Sequence, residues 1–183
     1  MNLREFKIEN KSIFVIDNLL ETKEIKDFFI FVNGLSFTKN ERDDDDDEYP
    51  IFSVDFETDL FLKETIIGKT AQKLLKEYCE GKYHLYRAYI NLSTYGDVEF
   101  PHYDCDPNKK DITILYYVNK IWDYKWGGET LFYSEKDTQF AILPKPGRFA
   151  IFPGGVEHCG TVPTKICKIP RLTLALKYSY VEE

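Results

Sequence analysis

The rhythm of apolar and polar positions changes near residue 83. Beyond it the chain alternates or runs apolar in short stretches: HLYRAYINL (84–92), DITILYYVN (111–119), ETLFYS (129–134), QFAILP (139–144), GRFAIFP (147–153) and RLTLALKYS (171–179). Pro, Gly, Asn and Asp separate them, the pattern of short strands joined by turns. Before residue 83, SIFVIDNLL (12–20) predicts one strand, and TKEIKDFFIFVNG (22–34) predicts a helix with Thr22 as N-cap and Gly34 at its C-terminal end. A second helix is predicted within KETIIGKTAQKLLKEYCEG (63–81), where Ile67, Ala71, Leu74, Leu75 and Tyr78 share a face and Gly81 gives the stop. Helices followed by antiparallel strands predict an α+β fold, a double-stranded β-helix (jelly roll) core buttressed by N-terminal helices. With no repeat or linker visible, residues 1–183 are expected to form a single domain. About 1–82 supplies a strand, the helices and an acidic loop, and about 83–183 supplies the jelly roll.

The last strand reads differently on its two sides. Arg171, Thr173, Ala175 and Lys177 fall on one face, and Leu172, Leu174, Leu176 and Tyr178 on the other. An arginine on a strand face needs an anion, either a carboxylate gripped by its planar fork or one of the chain's 31 acidic residues in a structural ion pair. Upstream, His102 and Asp104 in FPHYDCD are two residues apart, so on an extended segment both point the same way and Tyr103 faces away. His158 follows in FPGGVEHCG, where two glycines let the backbone turn just before the imidazole. Two neutral nitrogens and one carboxylate leave half an octahedron open, which suits non-haem Fe(II) rather than the closed tetrahedron of structural zinc. An H-x-D tripeptide is weak by itself; its weight comes from Arg171 and the strand pattern around it.

Composition narrows the function. At 183 residues and 43% hydrophobic, the chain can bury a full core. A net charge of -7 argues against a general nucleic-acid binder. No apolar stretch of about 18 residues and no signal-peptide core is visible, so no membrane association is expected and the chain reads as cytoplasmic. Cys79, Cys105, Cys159 and Cys167 form no C-x-x-C pair and read as reduced thiols; Cys105 and Cys159, next to candidate ligands, read as packing residues, with oxidation-sensitive thiols as the alternative.

RAYINLSTYGDVEFPHYD, ITILYYVNKIWDYKWGGETLFY, PKPGRFAIFPGGVEHCG and PRLTLALKY together resemble the Fe(II)/2-oxoglutarate-dependent dioxygenases, over about half the chain, Tyr89 to Tyr180. Within them YYVNKIWD and GGETLFY are most similar to the prolyl-hydroxylase branch of the hypoxia-inducible-factor type. The resemblance implies that His102, Asp104 and His158 ligate iron. It also implies that Arg171 and Tyr117 hold the distal carboxylate of 2-oxoglutarate, with Thr173 and Tyr95 as further cofactor contacts. Fe(II), 2-oxoglutarate and O2 follow as cofactors, ascorbate as an optional accessory, and hydroxylation of an unactivated C–H bond as the reaction. The implied substrate is a prolyl residue in a peptide or protein. The alternatives are a free amino acid or small metabolite, or, in another class, a non-catalytic metal-binding jelly roll. Oligomeric state is not legible.

Other features read more plainly. The run Asp43 to Asp47 followed by Glu48 reads as a solvated loop, or as a lid favouring a basic substrate if it lies near the site. Trp122, Tyr124 and Trp126 read as rim packing, with the lining of a substrate cleft as the alternative, and Glu129, placed to hydrogen-bond a ligand or orient a neighbour, has no assignable acid or base role. Lys145 and Arg148 flank a Pro-Gly turn and read as solvated charges, while His84 reads as structural.

Overall fold

A computed structural model of the chain describes residues 1–43 and 46–182. It opens with a hairpin of β1 (Asn2–Ile8) and β2 (Lys11–Asp17), joined through Glu9 and Asn10, both at positive φ. Two such residues match the right-handed twist of the flanking strands. Sequence patterning overlooks β1 because most of its residues are exposed. Helix α1 (Thr22–Asn33) begins one residue earlier than expected: Glu21 is the N-cap, and the Glu24 carboxylate accepts its backbone N–H at 2.8 Å. Then come β3 (Thr38–Glu41), β4 (Ile51–Phe56), α2 (Thr58–Glu64) and α3 (Ile66–Tyr78). The strands β5 (Lys82–Ser93), β6 (Ile112–Tyr117), β7 (Thr130–Ser134), β8 (Asp137–Ile142), β9 (Phe149–Pro153), β10 (His158–Gly160) and β11 (Arg171–Val181) complete the chain.

Eight strands form the major sheet in the order β1-β2-β9-β6-β11-β5-β4-β3, and β10-β7-β8 form the minor one. All pairings are antiparallel, and the two sheets make the jelly roll. Period-2 alternation sends each face of the major sheet to a separate core. On the helix side, Leu172, Leu174 and Leu176 of β11 join Ile90, Ile114 and Tyr116 against Phe28, Val32, Phe61, Ala71 and Leu74. On the barrel side, Tyr89, Leu115, Tyr117 and Ala175 pack with Phe132, Ala150 and Phe152. The strands predicted at 84–92, 111–119, 129–134, 139–144, 147–153 and 171–179 all have counterparts here.

The structure differs from expectation in three places. The second predicted helix is α3; α2, which the sequence pattern does not predict, precedes it and ends at Thr65, which adopts an extended conformation and caps α3, its hydroxyl accepting from the Gly68 N–H at 2.9 Å. The four-residue β3 and the three-residue β10 carry too few residues for a periodic signal, and the six-residue β4 is also not predicted. Arg148 is buried rather than solvated: it grips Asp17 through Nε at 2.8 Å and Nη2 at 2.9 Å, with Lys145 at 3.4 Å. Burial opposes the charge on Asp17, but Arg148 and Lys145 overcome it and hold the carboxyl below its ordinary value. Among the described residues no helix is long and apolar enough to cross a membrane.

Where α2 turns into α3, a Cβ on Gly68 would lie 2.6 Å from the Phe61 carbonyl oxygen and 2.8 Å from Leu62 Cα. In an open helix Gly→Ala stabilises by about 1 kcal/mol. Here Gly68→Ala is expected to destabilise by about 1–3 kcal/mol, because backbone must move. An unchanged or raised denaturant midpoint would contradict this packing.

Candidate active site

A cavity of about 210 Å³ opens on the barrel side of the major sheet. The whole polar face of β11 lines it, Arg171, Thr173, Ala175 and Lys177. Neighbouring strands add Arg87, Tyr89 and Asn91 from β5 and Thr130 from β7. His102 and Asp104 belong to the connection between β5 and β6 rather than to a regular strand, and reciprocal backbone bonds hold that connection. His102 N–H donates to His158 O at 2.9 Å, and His158 N–H donates to His102 O at 3.0 Å. Asp104 N–H donates to Gly154 O at 2.9 Å. Gly154 and Gly155 serve space rather than handedness. A Cβ on Gly154 would lie 3.0 Å from Cys105 Sγ, and one on Gly155 would lie 2.6 Å from Pro107 Cα.

The ligand atoms of His102, Asp104 and His158 lie within 4.8 Å of one another. Each imidazole is fixed through Nδ1, His158 to Val156 O at 2.9 Å and His102 to Phe100 O at 2.9 Å. Both Nε2 atoms therefore face Asp104, each 3.6 Å from one of its oxygens. Separations of this size let one cation about 2 Å from each atom bridge all three, and two nitrogens with one oxygen are a donor set that Fe(II) takes. The residues fit the metal.

Electrostatics divides the two histidines. Burial drives His158 down to about 4 even though Asp104 opposes it, so its imidazole is neutral at physiological pH. Burial also disfavours a charged His102, but Asp104 and Asp43 together push it up to about 10. Asp104 is disfavoured as an anion by burial, yet Lys177, His158 and His102 hold it well below its ordinary value. Lys177 forms an ion pair with its Oδ1, and the Thr113 hydroxyl donates to its Oδ2.

At the other end of the cavity, Arg171 is buried. Its Nε donates to Gly128 O at 2.7 Å and its Nη2 to Thr130 Oγ1 at 3.1 Å. The Tyr117 ring lies beneath the guanidinium at 5.9 Å, and its hydroxyl shares a 2.8 Å bond with Thr130. Among the buried polar atoms without a hydrogen-bond partner among the described residues, three belong to residues that line the cavity: Asn91 Oδ1, Glu99 Oε1 and the Thr173 hydroxyl. The buried guanidinium, with the free Thr173 hydroxyl beside it as a further donor, suits an anion such as a dicarboxylate, so this end fits 2-oxoglutarate. Gly160 leaves the gap open; a Cβ there would lie 2.5 Å from Glu99 Oε2 and 3.2 Å from Arg171 Nη1.

The structure brings His102, Asp104, His158, Arg171 and Thr173 to one cavity, with Tyr117 supporting Arg171 from below. It leaves Tyr95 out: that side chain is 62% exposed and does not line the cavity. The acidic run is not simply solvated. Asp44 and Asp45 lie outside the described residues, but Asp43 Oδ1 sits 3.1 Å from His102 Nδ1, and its other oxygen accepts from Phe100 N–H. Asp47 is buried, accepting from Tyr49 N–H at 2.7 Å. Backbone donors and an imidazole supply the partners that composition could not foresee. Lys177 and Thr113 also escaped the sequence; Lys177 was visible only as the last residue of the polar face of β11. Trp122 and Trp126 do pack on each other, with centroids 5.5 Å apart, while Tyr124 is exposed and His84 sits on the exposed side of β5.

Residues 90–178 match the 2OG-Fe(II) oxygenase superfamily. Over those residues the chain is similar to that superfamily, whose members are 2-oxoglutarate-dependent oxidoreductases using Fe(II). Among solved structures, a Trichoplax adhaerens prolyl hydroxylase in complex with a hypoxia-inducible-factor peptide fragment superposes with a TM-score of 0.67 at 18% identity, over 92% of this chain and 83% of that one. The viral collagen prolyl hydroxylase of Paramecium Bursaria Chlorella virus-1, as its 2-oxoglutarate complex, gives 0.65 at 20% identity, over 92% and 96%. HygX of Streptomyces hygroscopicus, with nickel and 2-oxoglutarate bound, gives 0.67 at 11% identity, over 92% and 83%. At these identities the likeness is one of fold. No curated protein sequence matches the chain.

Two outcomes follow from the geometry. Since His102 is protonated below about 10 without metal and a ligand nitrogen must be free, metal uptake at neutral pH is expected to expel close to one proton. Apparent affinity should rise with pH up to about 10, and calorimetry in buffers of different ionisation enthalpy counts that proton. Asp43→Asn, which weakens the carboxylate behind His102, is expected to loosen metal binding about 10–100-fold; an unchanged dissociation constant would show that Asp43 does not act on the ligand.

Proposed function

We propose that His102, Asp104 and His158 hold the Fe(II) of this dioxygenase, and that Arg171, helped by Thr173 and by Tyr117 through Thr130, holds the distal carboxylate of 2-oxoglutarate. The observation that carries this is the inner face of β11, which sets a buried arginine and the group holding Asp104 in the same cavity. Residues 1–183 would act as one catalytic unit, since β1–β4 are hydrogen-bonded into the same sheet as the barrel strands.

Fe(II), when bound, supplies the redox chemistry that couples decarboxylation of 2-oxoglutarate to hydroxylation of a C–H bond. The chain's own residues supply position and charge. Gly128 O and Thr130 fix Arg171 before the cosubstrate arrives, so little is lost in ordering its fork. The Nδ1 bonds of His102 and His158 keep both Nε2 atoms aimed at one point. The Phe132 and Phe152 rings around His158 exclude water from that side.

The substrate we propose is a prolyl residue in a peptide or protein. Peptide and collagen prolyl hydroxylases are among the structural neighbours. The cavity is also smaller than the roughly 300–1,000 Å³ of small-molecule sites, so beside the cosubstrate it admits one side chain rather than a bulky molecule. Glu41, Arg42 and Asp43, which also line it, would meet the flanking polypeptide. A second reading, hydroxylation of a free amino acid, is favoured by Glu99 Oε1 and Asn91 Oδ1, buried acceptors that a substrate ammonium would satisfy.

The test is succinate release from 2-oxoglutarate with Fe(II) and O2. Wild type is expected to turn over without substrate at a low rate, His102→Ala and Asp104→Ala to lose turnover, and Arg171→Ala to raise the KM for 2-oxoglutarate at least 30-fold, as loss of one partner of a buried charge pair requires. Stimulation by prolyl peptides but not by free amino acids separates the two substrates, and full activity in Asp104→Ala would sink the ligand assignment.

A further inference from the structure

Lys177 is a charged group inside the barrel to which the proposed chemistry gives no part in binding the metal or the cosubstrate. It lies on the inner face of β11, is 7% exposed, and makes its ion pair with Oδ1 of Asp104. Register places it opposite Thr113 of β6, whose hydroxyl takes Oδ2. Lysine and threonine therefore grip the carboxylate from adjacent strands and occupy both oxygens of the one carboxylate in the ligand set. The Tyr89 ring also lies beside the ammonium, its centroid 5.8 Å from Nζ.

We propose that Lys177 is a resident counter-ion for Asp104 which the incoming metal must displace, so that it keeps the metal-free site assembled while lowering its metal affinity. This rests on the assignment of Asp104 as a metal ligand. A carboxylate buried without a compensating charge is strongly destabilising, so the metal-free chain needs a cation at this place. A divalent ion and an ammonium on one carboxylate repel each other even when protein and water screen them. The same side chain thus stabilises the metal-free form and opposes the loaded one. A lysine that merely packed or oriented Asp104 would favour both.

The experiment uses the full chain stripped of metal by a chelator, titrated with Co(II) at fixed pH by calorimetry, with thermal melts in the presence and absence of Co(II). Lys177→Met is expected to bind Co(II) about tenfold tighter or more than wild type. It should also melt earlier without metal and show a larger metal-induced rise in Tm. Lys177→Arg keeps the charge and is expected to stay near wild-type affinity. If Lys177→Met does not fold without metal, Lys177→Gln, which can still hydrogen-bond Asp104 but carries no charge, is also expected to bind more tightly. Equal or weaker Co(II) binding by the neutral variants overturns the proposal. Co(II) binding to wild type that persists unchanged in His102→Ala would instead remove the ligand assignment, and this inference with it.

Discussion

A carboxylate taken out of water must be compensated, and the barrel is organised around that requirement at Asp104. The penalty for an ion in such a place is several kcal/mol, far above what one neutral hydrogen bond returns. Compensation comes from separate elements: Lys177 from β11, Thr113 from β6, His158 from β10 and His102 from the same connection as Asp104 itself. None of these groups is near another in sequence apart from His102 and Asp104. Their convergence depends on both sheets being in register, so the site is assembled only when the whole barrel is.

Register is in turn enforced by the contrast between the faces of β11. Leu172, Leu174 and Leu176 are buried against the helices, while Arg171, Thr173 and Lys177 are buried in the cavity. A slip of one residue would drive leucines into a polar chamber and two cations into an apolar core, which no local adjustment could accommodate. The Asp17–Arg148 pair does related work near the other edge, tying β2 to the turn before β9 through a buried fork.

Much of this was legible in the chain. Alternation gave the barrel strands because half-buried antiparallel strands must alternate, and the polar face of β11 announced itself as four residues spaced by two. The H-x-D tripeptide pointed correctly to one cavity even though its segment is a connection and not a strand, since an extended backbone has the same two-residue period either way. What escaped were contacts made across sequence distance. A run of aspartates looks the same on paper whether or not its first member meets an imidazole 59 positions later. Arg148 looked like any charge beside a Pro-Gly turn until β2 supplied Asp17. The division of α2 from α3 hung on one threonine hydroxyl competing for a backbone N–H, a choice that helical periodicity does not register. Tyr95 shows the converse, a residue type in a suggestive place whose side chain turns to solvent.

Two thiols flank the ligand set. Cys105 follows Asp104 and Cys159 follows His158, and burial pushes them up to about 11 and about 12. Oxidation begins from the thiolate, so at physiological pH almost none of the reactive form exists at either position. A centre that handles oxygen is a hazard to its own surroundings, and the sulfur nearest to it is kept in its least oxidisable state. The packing that shapes the site thereby also keeps the thiols beside it protonated.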